Sequence, residues 1–131
     1  MSIPILAEIN EKSTARIDGL KLTDETGAAI AGTSLATFTL TLYDRLTGAI
    51  INNRNAQDIK GSGSGANDVT IDESGNVVWT MRSADNVLVA TDAPEFEEHV
   101  ALFEWTWGSA PVKRSSEEYV LRIKRVPKVS P

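Results

Sequence analysis

The chain has one histidine and no cysteine, so the catalytic chemistry open to it can be assessed residue by residue. A serine-based relay would need His99 as its base, and no serine stands in the Gly-x-Ser-x-Gly sequence of a nucleophile elbow. The absence of cysteine excludes thiol nucleophiles, disulfides, iron-sulfur clusters and thiolate zinc sites. Because His99 follows Glu97 and Glu98, we interpret it as a solvated or edge-strand residue. The sequence therefore predicts that the protein is not an enzyme.

Acidic residues cluster in two segments, Asp68 to Glu73 and Glu95 to Glu98. Clustered carboxylates can bind calcium or catalyse glycoside hydrolysis. The first segment lacks the Asp-x-Asp-x-Asp-Gly order of a calcium-binding loop. We interpret its carboxylates as turn residues that bond to their own backbone. The run from Gly61 to Gly65 is not a phosphate loop, because no Lys-Ser or Lys-Thr pair follows it. Neither a metal ion nor a cofactor is predicted.

The three tryptophans, Trp79, Trp105 and Trp107, carry large flat rings that can fill a core, stack on sugars or anchor a protein interface. Trp105 and Trp107 face the same way if the segment is a strand, because side chains alternate along a strand. We expect Trp79 and Trp105 to lie in the core and Trp107 to cap the end of a sheet near Gly108. A glycan stacked on Trp107 or on another exposed ring is the alternative.

Alternation of apolar and polar residues dominates the chain and predicts β-strands. The clearest run is Leu35 to Tyr43, and the longest strand candidate is Glu98 to Trp107. Three hairpins are predicted, with turns at residues 23–27, 44–48 and 72–75, and the second is expected to return as a strand over residues 49–52. Short strands with turn signals about every ten residues predict an antiparallel β-sandwich of the immunoglobulin-like type. A jelly roll or a small barrel is the alternative.

The length of 131 residues favours a single domain. Residues 52–68 are polar and rich in glycine and serine, which predicts a flexible loop with Ile59 as an anchor in its middle. Residues 1–12 carry apolar side chains around Pro4 that a self-contained domain does not explain. We therefore expect an N-terminal arm over residues 1–12 and one sandwich domain over residues 13–131.

The arm and the segment from Val112 to Glu118 are expected to contact neighbouring subunits, since strand edges and extended arms are used to join subunits. This interpretation predicts that the protein forms a homo-oligomer or a symmetric array. The partner-interface residues expected from the sequence are Ile3, Ile5, Leu6, Ile9, Trp107, Val112, Lys113 and Arg114.

The net charge is −5, but six of the 13 basic residues fall in the last 19 positions. One interpretation pairs Arg122 and Lys124 across strands with Glu104, Glu97 or Glu98. The other docks this basic segment on an acidic protein surface. Because the chain as a whole is acidic and its aromatic residues do not interleave with basic ones, nucleic acid is not an expected partner.

No membrane partner is expected, since the longest apolar runs fall far short of the roughly 20 residues that a membrane helix needs. The N-terminal residues show no secretory signal, which favours synthesis and residence in the cytosol.

The hairpin from Val69 to Trp79 and the strand from His99 to Trp107 together resemble small β-sandwich structural proteins of tailed bacteriophages and prophages. Such proteins are encoded among head and head-tail junction genes. The resemblance covers residues 15–126 and transfers no catalytic residue. It implies a virion component, made in the cytoplasm of the bacterial host, that binds capsid, neck or tail proteins in an assembly, decoration or cement role. A carbohydrate-binding sandwich module is the alternative function.

Overall fold

The structure is a computed structural model that describes residues 4–60, 68–90 and 95–127. Short 3-10 helices cover Gly32–Ser34 and Ser83–Asn86, and neither is long enough to span a membrane. The strands of the described residues are β1 (Ile5–Asn10), β2 (Ala15–Lys21), β3 (Leu35–Asp44), β4 (Gln57–Asp58), β5 (Val69–Ile71), β6 (Asn76–Met81), β7 (Phe96–Trp107) and β8 (Lys113–Lys124).

The strands form two sheets, one of five strands in the order β1-β8-β7-β3-β4 and one of three strands in the order β2-β6-β5. The two sheets pack together and the described strands do not close into a barrel. Two packed sheets that do not close are the architecture of a β-sandwich. The predicted all-β sandwich is therefore confirmed, and the described strands do not form the alternative barrel. Among the described strands, β1 and β8 run parallel and the other pairs run antiparallel.

The core lies between the sheets and is centred on aromatic rings. The Phe38 and Phe103 rings stack with their centroids 5.7 Å apart, and Trp79 meets Phe103 edge-on at 5.6 Å. Trp105 contacts Phe38 edge-on at 6.2 Å. Both Trp79 and Trp105 are buried, as predicted, and Trp107 is partly buried and packs against this core. The alternation of residue types therefore identified the inward face of β6 and β7.

The segment expected to be an N-terminal arm is, over residues 5–10, an edge strand of the five-stranded sheet. Its register with β8 runs from Ile5 opposite Val120 to Asn10 opposite Lys124. Ile9 belongs to the core, because inward side chains of a strand follow the same alternation as those of its neighbour. In the described residues the sandwich thus begins with β1, before residue 13.

The hairpin that follows β3 is present, but its returning strand is shorter than expected. Ile50 forms a single bridge with Tyr43, and regular pairing with β3 resumes only at β4. Asn52 and Asn53 have positive φ angles of 55° and 56°. This left-handed backbone interrupts the pairing with β3 between Ile50 and β4. The expected anchor Ile59 is buried. Part of the predicted loop, residues 61–67, lies outside the described residues.

The hairpin between β5 and β6 is confirmed, and its turn provides a stability test. Gly75 has a φ of +78°, and a Cβ added there would lie 2.6 Å from the Leu22 carbonyl oxygen and 3.0 Å from that of Ile30. Gly48 has the same φ, with nothing within 4 Å of an added Cβ. Both alanine variants must adopt a left-handed backbone, but only the variant at residue 75 also meets neighbouring backbone.

We expect Gly75→Ala to lower the free energy of unfolding by more than about 2 kcal/mol, and Gly48→Ala by about 1 kcal/mol. Urea denaturation followed by circular dichroism measures both losses. Equal losses in the two variants would contradict the close approach of backbone at Gly75.

Candidate functional site

The outer face of the five-stranded sheet, which points away from the smaller sheet, carries apolar side chains across all its main strands. Tyr43 of β3, Val100 of β7, Val120 of β8 and Ile5 of β1 are successive partners in the register. Ile50 continues the series as the bridge partner of Tyr43. Directly paired residues point to the same side of a sheet, so these five side chains lie next to one another. We call this series the apolar row.

The side chains at the centre of the apolar row are buried, and those at its two ends are exposed. Val100 and Val120 are 1% and 0% exposed, although neither belongs to the core between the sheets. Ile5 is 58% and Ile50 43% exposed. A sheet face that meets only water carries polar residues at such positions. The chain itself covers the two valines, so the apolar groups that the row offers to a partner are Ile5, Ile50 and the accessible part of Tyr43.

A row of charged residues lies beside the apolar row, with one residue on each of β1, β7 and β8 and one directly after β3. Arg45 directly follows β3, and its Nη1 lies 3.2 Å from Glu98 Oε1 on β7. Arg122 on β8 lies 3.0 Å from Glu8 Oε1 on β1, and its guanidinium sits 4.2 Å from the centre of the Phe96 ring. From β3 to β1 the signs are therefore positive, negative, positive, negative. We call Arg45, Glu98, Arg122 and Glu8 the charged row.

The ion pairs of this face differ from those expected across strands. Arg122 was expected to pair with Glu104, Glu97 or Glu98, and its ion-pair partner in the structure is Glu8. Glu98 lies directly opposite Arg122 in the register but pairs with Arg45, whereas β1, interpreted as an arm, supplies Glu8 on the other side of β8.

The interface residues predicted from the sequence do not come together on one surface. Of the arm residues, Ile5 lies on the outer face, whereas Leu6 packs against the core and Ile9 is part of it. Ile3 lies outside the described residues.

The remaining predicted interface residues lie at or near the start of β8, at the end of the sandwich where β7 ends. Val112 is largely exposed, and Trp107 is partly buried against the core. Lys113 Nζ lies 2.5 Å from Glu25 Oε1, so this basic residue has an intramolecular partner. Arg114 is exposed opposite Thr106.

Asp44, Glu97 and His99 come together on the inner side of the five-stranded sheet, with one potential ligand atom from each within 4.8 Å of the others. All three are buried, and His99 Nε2 lies 2.6 Å from Glu97 Oε1. The interpretation of His99 as a solvated or edge-strand residue is therefore wrong. β7 is an internal strand between β8 and β3, and His99 points to the same side as the buried Ala101.

This cluster contains the residue types that hold divalent metal ions. Its carboxylate oxygen atoms, however, already accept hydrogen bonds from neighbouring residues. The Glu97 carboxylate accepts hydrogen bonds from the backbone N–H groups of Val89 and Ala90, at 2.7 and 3.0 Å. The Asp44 carboxylate accepts one from the Thr47 N–H at 3.0 Å and one from its hydroxyl at 2.6 Å. These bonds hold the turn after β3 and the backbone of Val89 and Ala90. The arrangement is that of a buried structural network.

A second buried cluster surrounds Arg54, which the sequence analysis did not single out. The Arg54 side chain is 2% exposed and bonds to Asp85 through Nε at 2.5 Å and to Asp68 through Nη2 at 2.8 Å. Asp68 also pairs with Arg82 at 2.9 Å. The interpretation of Asp68 as a turn carboxylate is therefore wrong, whereas Asp72 does accept the backbone N–H groups within its own turn.

Asp68 makes the stability of the fold depend on pH. Burial raises the pKa of Asp68, but the hydrogen bonds from Arg54 and Arg82 outweigh this effect, so the pKa lies below its ordinary value. A carboxyl group whose pKa is lower in the folded state stabilises the fold above its unfolded pKa of about 3.9. That contribution is lost as the pH falls through the folded-state pKa.

We expect the melting temperature of the wild-type chain to fall on acidification below about pH 4, with Asp68→Asn showing a smaller fall from a lower starting value. Thermal melts followed by circular dichroism between neutral and strongly acidic pH measure this. Parallel curves for the two proteins would show that Asp68 does not contribute to the acid sensitivity.

No protein-family model, no curated protein and no solved structure matches the chain. A sandwich fold alone does not assign a function, because one fold serves many functions. The surfaces of the sandwich, rather than its fold, therefore carry the information about function.

Proposed function

We propose that the chain is a non-enzymatic structural protein of a tailed-bacteriophage virion that binds capsid, neck or tail components. The observation that carries the proposal is the outer face of the five-stranded sheet, where the exposed apolar side chains of Ile5 and Ile50 lie beside the charged row. Exposed apolar surface rimmed by polar residues marks protein interaction sites. The apolar row ends on the edge strand β1. The unpaired edge of β1 can also form backbone hydrogen bonds with a strand of another subunit. The virion setting comes from the resemblance of the hairpin and of the tryptophan-containing strand to phage sandwich proteins.

The position of the histidine supports a role without catalysis. His99 is the single histidine of the chain, and it is fully buried and hydrogen-bonded to Glu97. A general base must reach a proton of the substrate, directly or through a water molecule. His99 lies inside the sandwich and has no such access.

The positions of the tryptophans favour assembly over carbohydrate binding. Stacking on a sugar requires an accessible aromatic face. Trp79 and Trp105 are buried in the core, and Trp107 packs against it. The carbohydrate alternative therefore depends on the part of the Trp107 ring that reaches solvent or on another partly exposed ring.

Native mass and glycan titration together distinguish the assembly proposal from the carbohydrate-binding alternative. We expect light scattering to give a discrete oligomer whose mass is constant over a wide range of protein concentration. Titration with a panel of glycans, followed by tryptophan fluorescence, is the matched experiment for the alternative. A monomer at every concentration whose fluorescence responds to one glycan would overturn the proposal and establish the carbohydrate-binding function.

A further inference from the structure

We infer that a second copy of this chain packs on the outer face of the five-stranded sheet, related to the first by a two-fold axis parallel to the strands and midway between β7 and β8. The inference rests on the proposed assembly function and deepens it by naming a surface, a partner and a symmetry. A two-fold interface uses the same patch on both copies, so the patch must be complementary to itself.

The apolar row meets this requirement. In the register, Tyr43 and Val100 lie on one side of the axis, and Val120 and Ile5 lie on the other. Rotation about the axis brings Val100 of one copy opposite Val120 of the other, but both side chains are already covered within their own chain, so the apolar contact across the axis falls to the ends of the row. The rotation also places Tyr43 against Ile5, so that the exposed end of the row meets an aromatic ring.

The charged row is also complementary to itself. Rotation reverses the order of the row, which turns positive, negative, positive, negative into negative, positive, negative, positive. Arg45 of one copy then faces Glu8 of the other, and Glu98 faces Arg122. Every charge of the row meets an opposite charge, in addition to its partner within the same chain. Such complementarity fixes the register of an interface and disfavours other arrangements.

A two-fold axis perpendicular to the strands does not give this match. It would place the charged row against the row on the other side of the apolar residues, which consists of Thr41, Leu102 and Glu118. That row offers one charge, and it is negative. The signs of the charged row therefore select the axis parallel to the strands.

The size of the face suits a dimer. β7 and β8 each have 12 residues, β3 has 10 and β1 has 6. At about 3.3 Å per residue and about 4.8 Å between strands, these four strands present a flat area of roughly 600 Å². Side-chain relief adds to this value, and a standard interface buries about 800 Å² per partner. Two sheets that pack in this way keep their strand directions within about 30° of each other.

A charge exchange tests the inference. Arg45→Glu with Arg122→Glu makes the charged row entirely negative, and Glu8→Arg with Glu98→Arg makes it entirely positive. Each double variant alone places like charges against each other across the axis, so we expect at least tenfold weaker association than in the wild type. An equimolar mixture of the two double variants places opposite charges against each other at every position. We expect the mixture to recover the dimer mass in analytical ultracentrifugation.

The matched control is Arg16→Glu on β2, which changes an exposed charge on the other sheet and leaves the charged row intact. It is expected to leave association unchanged. Circular dichroism and thermal melting establish that each variant is folded. If a double variant does not fold, the single variants Arg45→Glu and Glu8→Arg, which face each other across the axis, are mixed in the same way.

The outcomes separate the inference from the proposed function. A wild-type oligomer that neither double variant weakens would overturn the inference and leave assembly through another surface. Weakening without recovery in the mixture would overturn the two-fold arrangement. A wild type that stays monomeric at every concentration would overturn the inference as well. In that case, binding of the monomer to isolated phage capsids or tails tests the proposed function separately.

Discussion

Arg54→Ala is expected to lower the free energy of unfolding by about 3 to 5 kcal/mol, the loss found when one partner of a buried ion pair is removed. The guanidinium holds Asp85, which is fully buried, and Asp68, which is nearly so. Without it, the charge of Asp85 is left inside the protein with its main counter-ion missing. Native domains are stable by only about 5 to 15 kcal/mol, so this variant should be mostly unfolded in mild denaturant. Urea denaturation followed by circular dichroism measures the loss.

Arg82→Ala is the matched control for this prediction. Arg82 also pairs with Asp68, but its side chain is 55% exposed. An exposed pair contributes at most about 1 kcal/mol, because water screens it and holding the side chain in place costs entropy. Equal losses in Arg54→Ala and Arg82→Ala would contradict the central role of the buried guanidinium. A double-mutant cycle between Arg54 and Asp85 then gives the coupling between the two residues directly.

Trp79→Ala is expected to cost about 3 to 5 kcal/mol, the range for removing a large aromatic side chain from a core. The ring is fully buried on β6 and meets Phe103 of the opposite sheet edge-on. Its removal leaves a cavity between the sheets at the point where they contact each other through aromatic rings. The loss is measured by urea denaturation with circular dichroism, since tryptophan fluorescence itself changes in the variant.

Trp107→Ala provides the comparison within the same residue type. Trp107 is partly buried at the end of β7. Its removal therefore opens a depression that water can enter rather than an enclosed cavity. We expect less than half the loss seen for Trp79→Ala. A larger loss in Trp107→Ala would place the main aromatic contact at the end of the sheet instead of between the layers.

Much of the fold followed from local patterns. The alternation around Phe38, Trp79 and Trp105 identified which face of each strand is buried, because that information is contained in a few consecutive residues. The position of a strand within its sheet cannot be predicted from a few consecutive residues. His99 was assigned to an edge because its neighbours Glu97 and Glu98 are charged, yet β7 has a strand on either side. Alternation shows the face that a residue occupies but not what lies beside its strand.

The Arg54 cluster shows the same limit. The two aspartates that bind Arg54 stand 14 and 31 positions further along the chain. Its segment is polar, which predicts a solvated loop, and no local pattern distinguishes a buried arginine from an exposed one. The partners are brought together only by the connections that β3 and β6 make at one end of the sandwich.

The apolar row left a partial signal in the sequence. Val100 and Val120 stand at positions where the opposite face of the strand also carries apolar residues, a pattern typical of strands covered on both sides. The alignment of these residues into one row depends on the register of β3, β7, β8 and β1. That register is set by the turns and by the packing of whole strands.

The parallel pairing of the first and last described strands has a mechanical consequence. When the two ends of the folded chain are pulled apart, the force on β1 and the force on β8 act in opposite directions along two strands that point the same way. The hydrogen bonds from Ile5 to Lys124 are then loaded together in shear, rather than broken one after another as in a hairpin that unzips. The sandwich should therefore resist stretching along this axis until the whole β1–β8 ladder ruptures at once.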